Sequence, residues 1–264
     1  NSKMIKPKKS LGQNFLIDSN IIQKIIKISS LKNKNFIEIG PGTGNLTKAI
    51  IKEKPKSLLI IEKDKKLAEK LQDLKLHNVN IVNEDILKIN LEDHIKNDTI
   101  IIGNLPYNIS SQILINLIKF KKWPPKYNRL ILMFQKEVAE KIRAKTKSKN
   151  FGRITVMSNW RLKIKNYFHV SNNCFYPKPK VQSTVLVFDP VVNKKIFIND
   201  INNLEKTTRI LFSNKRKMIN KALSNIFKNS NDIASKLNID ITSRPNDLCE
   251  DTYYRIAELY EKSL

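Results

Sequence analysis

The chain has 264 residues, room for one large domain or a medium one with a small companion. Apolar residues make up 41%, enough for a core, yet no apolar run approaches the ~20 residues of a membrane-spanning helix. Lys plus Arg number 49 against 24 Asp plus Glu, a net charge of +25 that favours a polyanionic partner over a membrane surface.

Lys, Asn and Ile are abundant throughout, so part of the basic excess is compositional drift. Drift does not explain clustering. Residues 141–165 hold nine basic residues and no acid, and residues 206–228 hold seven and no acid. Such blocks supply the phosphate contacts that dominate non-specific nucleic-acid affinity. Cys174 and Cys249 form no CxxC and stand at no metal spacing from a His. They read as ordinary thiols in a reducing, cytoplasmic compartment, with no metal site. The stretch NSKMIKPKKSLGQNFL has no apolar h-region, so no secretory signal is expected; an organelle matrix fits only if a transit segment has been removed.

In chain order, DSNIIQKIIKI over 18–28 starts on capping candidates and carries Ile21, Ile22, Ile25 and Ile26 at helical spacing. Strands are then expected over 36–39, 58–61, 79–82, 100–102 and 130–134. Helices are expected over 46–54, 65–74, 112–118 and 137–143. Strands apolar throughout, alternating with helices, predict a parallel sheet covered on both faces. Residues 162–170 and 181–188 read as longer strands with no helix between them, suited to an antiparallel edge. Beyond Asp189-Pro190 the strand signal stops. Helices are expected over 201–212, 215–227, 231–237 and 251–262, with a domain boundary near 190–199.

Open parallel sheets bind ligands at the carboxyl ends of their strands. Four expected strand ends carry polar residues. The first is Glu38-Ile39-Gly40-Pro41-Gly42-Thr43-Gly44, where three glycines at alternate positions allow a sharp turn and close approach of a ligand. The second is Glu62, 22 residues past Gly40, at the distance where an acid accepts from ribose hydroxyls. The third is Asp85, placed to meet an adenine amino group. The fourth is Asn104. The glycine spacing is not GxGxxG and no Gly-Lys-Ser/Thr follows, so a ligand with adenosine but no pyrophosphate fits. S-adenosylmethionine is such a ligand. The plainer alternative makes Glu62 and Asp85 caps of the helices that follow.

Residues 100–111 read IIIGNLPYNISS. An exocyclic adenine nitrogen is a poor nucleophile because its lone pair is delocalised into the ring. Acceptors for its hydrogens favour the form in which the lone pair can attack. The Asn104 side-chain oxygen is one candidate, and the carbonyl of Leu105 or Pro106 is another. Pro106 stiffens the turn, and Tyr107 can stack on the base. A sulfonium donor is already activated, so neither a metal nor a strong base is required, and catalysis is mostly positioning.

Taken together, the motifs resemble the small-subunit ribosomal RNA adenine-N6,N6-dimethyltransferases, the KsgA family. The likeness rests on QNFL from Gln13, EIGPGTGNLT from Glu38, Glu62, NED around Asp85 and GNLPYNIS from Gly103. FQKEVAEKI from Phe134, FGRITV from Phe151, FYPKPKV from Phe175 and LFSNKRKMINKAL from Leu211 extend it over nearly the whole chain.

The resemblance implies a Rossmann-like methyltransferase sheet with an antiparallel edge (residues 18–192). It also implies a basic arm (1–17) closing over the cofactor and a small all-helical RNA-binding domain (193–264). It assigns cofactor contacts to Gln13, Asn14, Leu16, Gly40, Gly42, Gly44, Glu62, Lys63, Asp85, Ile86 and Asn104. Asn104, Leu105, Pro106 and Tyr107 would serve the reaction, with Phe175 on the far face of the target base; by itself, Phe175-Tyr176-Pro177 also reads as a rigid loop with a buried ring. Arg143, Lys145, Lys147, Arg153, Lys178, Lys180, Lys215, Arg216, Lys217 and Lys221 would meet RNA.

The implied substrate is two adjacent adenosines in a hairpin loop near the 3′ end of small-subunit RNA, each methylated twice during ribosome biogenesis; a monomer is expected because the sequence leaves no long apolar seam over. Where the family often has two adjacent arginines, this chain has Lys215-Arg216-Lys217. The related large-subunit enzymes of macrolide resistance usually read Gly-Ser-Gly and NIPY where this chain has Gly40-Pro41-Gly42 and Leu105. A mainly structural assembly factor is the alternative from a different class.

Overall fold

The computed structural model describes residues 5–264, so residues 1–4 of the expected arm lie outside the described residues. β1 (Phe15–Leu16) precedes α1 (Ser19–Ile26). Asp18 caps that helix by accepting from the Ile21 N–H at 2.9 Å, a bond worth ~1 kcal/mol. Strands and helices then alternate: β2 (Asn35–Ile39), α2 (Asn45–Lys52), β3 (Ser57–Ile61), α3 (Lys65–Gln72) and β4 (Val79–Val82). β5 (Thr99–Asn104), α4 (Ser110–Ile118), β6 (Tyr127–Gln135), α5 (Lys136–Ile142) and α6 (Arg153–Arg161) follow. β7 (Leu162–Val170), β8 (Phe175–Tyr176) and β9 (Ser183–Pro190) complete the strands. Four helices end the chain: α7 (Ile201–Leu211), α8 (Asn220–Ile226), α9 (Ser230–Lys236) and α10 (Glu250–Lys262).

Seven strands form one sheet in the order β4-β3-β2-β5-β6-β9-β7. β2 through β6 pair in parallel, and β9 runs antiparallel to β6, the expected edge. β1 and β8 form a separate antiparallel ribbon. Ile100 and Ile102 join a core with Ile22, Ile25 and Ile26 of α1 and Ala49 and Ile50 of α2. Ile101 points to the other face and is equally buried. Both faces are therefore covered, which is why these strands read apolar without alternation.

The chain divides into two compact units. One takes the residues up to Asn116, Pro124–Ala139 and Ile164–Pro190, and holds nearly all of the sheet. The other takes Leu117–Trp123, Glu140–Lys163 and Val191–Leu264. Its C-terminal stretch starts inside the boundary region expected from sequence, but two earlier segments join it.

Within this second unit Phe212 stacks on Tyr253 at 4.7 Å between ring centroids, and Trp160 lies 4.7 Å from Tyr254. The Tyr254 hydroxyl donates to the Val156 carbonyl at 2.7 Å, which ties α10 to α6. Buried Arg161 donates to the carbonyls of Ile118 and Phe120 and lies over the Trp123 ring. One of the chain's basic residues is thus spent on holding the unit together.

Two segments differ from the sequence expectation. The helix expected over 215–227 starts only at Asn220. Asn214 Oδ1 accepts from the Arg216 N–H at 3.2 Å, and the Ile219 N–H goes to the Ser243 carbonyl at 2.7 Å. That turn takes the donors an earlier helical start would use. The basic segment Lys215-Arg216-Lys217 is therefore a loop, not a helix. α6 had no helical expectation. Thr155, Val156, Met157, Ser158, Trp160 and Arg161 are all buried, so the segment carries no one-sided apolar stripe.

Candidate active site

The strand register builds the site. Ile39 of β2 pairs with Ile61 of β3 on one side and Gly103 of β5 on the other. The residues that follow, Gly40, Glu62 and Asn104, therefore stand at one level at the carboxyl edge of the sheet. β2 and β5 are also where the strand order turns back, the usual place for a ligand crevice. A cavity of about 200 Å³ opens there. Gln13, Asn14, Leu16, Gly40, Gly42, Glu62, Lys63, Asp85, Ile86, Asn104, Leu105, Pro106, Tyr107 and Phe175 all line it. Of the residues assigned to cofactor or reaction, Gly44 alone does not. It occupies the N-cap of α2 at φ 88°.

Two glycines are required by contact. Gly42 sits at φ 58°, and a Cβ there would lie 2.7 Å from the Phe15 ring. A Cβ at Gly103 would lie 2.7 Å from the Ile39 carbonyl, so Asn104 follows a residue that cannot carry a side chain. Further out, the backbone at Gly12 lies against the Tyr107 ring, whose carbons would stand 3.0 Å from a Cβ there.

Polar side chains in the cavity are held before any ligand arrives. Asn104 Nδ2 donates to the Asn14 carbonyl at 3.0 Å, which leaves Oδ1 as the acceptor end of the amide. Asn45 Nδ2 donates to the Leu16 carbonyl at 3.0 Å and holds the arm at β1. Burial pushes the Glu62 carboxyl up to about 7, against the pull of the Asp64 N–H that it accepts at 3.3 Å. Glu38 lies deeper, 1% exposed, accepting from the Thr47 hydroxyl. Burial pushes it up to about 8. Asp85 behaves in the opposite way. Burial raises its pKa, but the Leu87 N–H at 3.0 Å and Lys63 Nζ at 3.4 Å more than reverse that, and it stays ionised. The Leu87 bond closes a turn rather than capping a helix, since none starts at Asp85, and the cap of α3 is Asp64 rather than Glu62, so the plainer reading fails for both residues; Asp85 and Glu62 line the cavity.

Tyr107 is 44% exposed, a ring available for stacking, while Phe175 is 4% exposed. Phe175 pairs with Leu16 across β1 and β8 and is buried in the core, in a strand rather than a loop, and it also lines the cavity. The expected RNA residues fall on different parts of the chain. Lys178 and Lys180 are exposed on either side of Pro179, which lines the cavity. In the second unit Arg216, Lys217 and Lys221 are exposed, as are Lys145 and Lys147, and Arg143 is half-buried. Lys215 is held: its Nζ donates to the Lys149 carbonyl at 3.2 Å, which brings two basic loops together. Burial and then Lys141 lower its pKa. Arg153 pairs with Glu205 at 3.4 Å, an acid it shares with Lys119 and Arg209.

Sequence reasoning missed four participants. Glu38 was visible in the glycine motif but had no role without its burial. Thr47 stands in the same run as Glu38, to which it donates, while Lys8 and Asp64 are joined to the site by contacts that no local pattern encodes. No group of His, Cys, Asp and Glu able to hold a metal occurs among the described residues.

Known proteins share this fold. A solved dimethyladenosine transferase from Plasmodium falciparum superposes with a TM-score of 0.77 at 25% identity, covering 92% of this chain and 95% of that one. The 23S rRNA methyltransferase ErmE shares the fold at 21% identity, with a TM-score of 0.67 over 94% of this chain and 100% of its own. In sequence, the chain is 42% identical to the ribosomal RNA small subunit methyltransferase A of Pelagibacter ubique, over 97% of this chain and 98% of that protein. It is 38% identical to the protein of the same name from a Wolbachia of Drosophila simulans, over 98% and 95%. Residues 4–262 match the model for ribosomal RNA adenine dimethylases, and the chain belongs to that family.

Proposed function

We propose that this protein transfers methyl groups from S-adenosylmethionine to the N6 atoms of two adjacent adenosines in small-subunit ribosomal RNA, twice at each. The observation that carries the reading is Asn104. Its Nδ2 donates to the Asn14 carbonyl, which orients the amide and leaves Oδ1 as its acceptor end in a residue that lines the cavity. The second acceptor is the backbone carbonyl of Leu105 or of Pro106, the latter also accepting from the Ile109 N–H at 3.2 Å. Together they take the amino hydrogens and leave the nitrogen lone pair free to attack. Tyr107 stacks on the base and fixes its approach. Phe175 supports the pocket wall from the core. The N–CH3 bond would form as the S–CH3 bond of the sulfonium breaks with its electron pair left on sulfur as a thioether, and the nitrogen would release one proton to solvent.

The cavity suits the cofactor by its donor set. Glu62 would accept from the ribose hydroxyls, Asp85 would meet the adenine amino group, and Asn14, Leu16 and Gly40 would flank the methionine part. When bound, the cofactor supplies an electrophilic methyl on sulfur. Gln13, Gly42, Lys63 and Ile86 complete the walls, and Gly44 acts through α2. Lys178 and Lys180, with the loops at 143–147 and 215–217 and Lys221, meet phosphates of the subunit, while Arg153 is held by Glu205. We place the enzyme in the cytoplasm as a monomer acting in ribosome biogenesis.

The test is to incubate the protein with labelled S-adenosylmethionine and purified ribosomal subunits lacking this modification. Label in the small subunit is expected. Label confined to the large subunit would assign it to the resistance type. No label, with cofactor still bound, would make it an assembly factor.

A further inference from the structure

We propose that Asp64 is a positioning residue that latches the N-terminal arm over the cofactor cavity. It is 2% exposed at the start of α3, two residues beyond Glu62. Its two oxygens do different work. Oδ1 accepts from the Lys66 N–H at 3.0 Å and caps the helix. Oδ2 accepts from Gln13 Nε2 at 3.0 Å and pairs with Lys8 Nζ at 3.0 Å. The Lys8 N–H in turn donates to Gln13 Oε1 at 2.6 Å, so backbone, amide, carboxylate and ammonium close one ring of contacts. Residues 10–16 of the arm line the cavity.

A helix cap needs one oxygen, and the second is committed to the arm. Burial raises the Asp64 pKa, but Gln13 and Lys8 more than reverse it, so the carboxylate keeps its charge. The charges facing it are Lys8 and Glu62; the latter feels both Asp64 and Lys8. Further along the arm, anchoring is independent of Asp64. Leu16 pairs with Phe175, Asn45 holds the Leu16 carbonyl, and Asn104 holds that of Asn14. Opening the latch therefore frees Lys8 and Gln13, while Gly12 stays against the Tyr107 ring and Asn14 and Asn104 stay in place. The consequence falls on cofactor retention rather than on the methyl-transfer step. An enzyme that uses four cofactors on one substrate must exchange cofactor repeatedly, so the latch sets a step of the cycle.

The inference rests on the cavity holding S-adenosylmethionine. Asp64→Asn is the informative variant, because Asn caps a helix as well as Asp does while its amide group cannot accept from Gln13 and Lys8 as the carboxylate does. The readouts are S-adenosylhomocysteine dissociation from the intact protein and the split between KM and kcat. Asp64→Asn should release S-adenosylhomocysteine about tenfold faster and raise KM for S-adenosylmethionine about tenfold, the size expected when charge-assisted bonds are removed. Lys8→Met should act in the same direction and add little in the double variant. Wild-type release rates in both variants would overturn the latch, and so would a loss of kcat at unchanged KM. Absence of S-adenosylhomocysteine binding by the wild type would overturn the cavity reading and the latch with it.

Discussion

Replacing Glu62 with Gln separates what its charge does from what its shape does. In the ligand-free cavity burial holds this carboxyl at about 7 instead of its ordinary 4.5. Ribose hydroxyls donate to the ionised form, so protons compete with the cofactor. The ionised fraction is about nine-tenths at pH 8 and about one-tenth at pH 6 for a group with this pKa. Cofactor affinity should therefore weaken about tenfold between pH 8 and pH 6. Glu62→Gln should remove most of that slope and weaken binding at pH 8 by about 1.5–3 kcal/mol, the range for hydrogen bonds to a charged group.

The sign for stability is opposite. Because the folded pKa lies above the unfolded value, the stabilisation from keeping the proton is full below pH 4.5 and is lost as pH rises through about 7. The ligand-free protein should thus lose stability across the window in which it gains affinity. Calorimetric titration with S-adenosylhomocysteine from pH 6 to 8.5, beside thermal melts of the ligand-free protein, reads both. A pH-independent wild-type affinity would refute the reasoning. An unchanged slope in Glu62→Gln would transfer the titration to Glu38, whose carboxyl is coupled to Glu62 and pushed up to about 8.

Asn104→Ala should abolish methyl transfer while leaving substrate-RNA binding largely intact, measured by label incorporation and filter binding; equal loss of both would remove its positioning role. Tyr107→Ala should slow transfer by an amount on the order of 1–3 kcal/mol, the worth of one stacked base; an unchanged rate would reduce the ring to a support for the arm at Gly12. Neutralising Arg216 and Lys217 should lower the salt slope of subunit binding by about two, one for each phosphate no longer neutralised; an unaltered slope would return the basic loop to compositional drift.

The sheet was legible because its central strands carry apolar runs on both faces, Leu58–Ile61 in β3 and Ile100–Ile102 in β5, with Glu62 and Asn104 at their ends. Glu62, Asp85 and Asn104 could be read for the same reason: strand ends point at ligands. That they stand level required the pairing of Ile39 with Ile61 and Gly103, which no single strand encodes. β1 and β8 are two residues each and have no periodicity of their own; they exist because Phe15 and Leu16 meet Tyr176 and Phe175 across the fold. The latch was hidden for a similar reason. Gln13 and Asp64 are 51 residues apart, and locally Asp64 looks like a helix cap, which it also is. The basic run at 215–217 could be seen as charge but not as a loop, because the turn depends on Ser243 accepting from Ile219.

The most direct test of the account is to treat small subunits lacking the modification with protein and labelled S-adenosylmethionine, digest the RNA and map the label by mass spectrometry. The account predicts N6,N6-dimethyladenosine at two adjacent positions of one loop in the small-subunit RNA. Label on any other atom or base, or in large-subunit RNA instead, would contradict it.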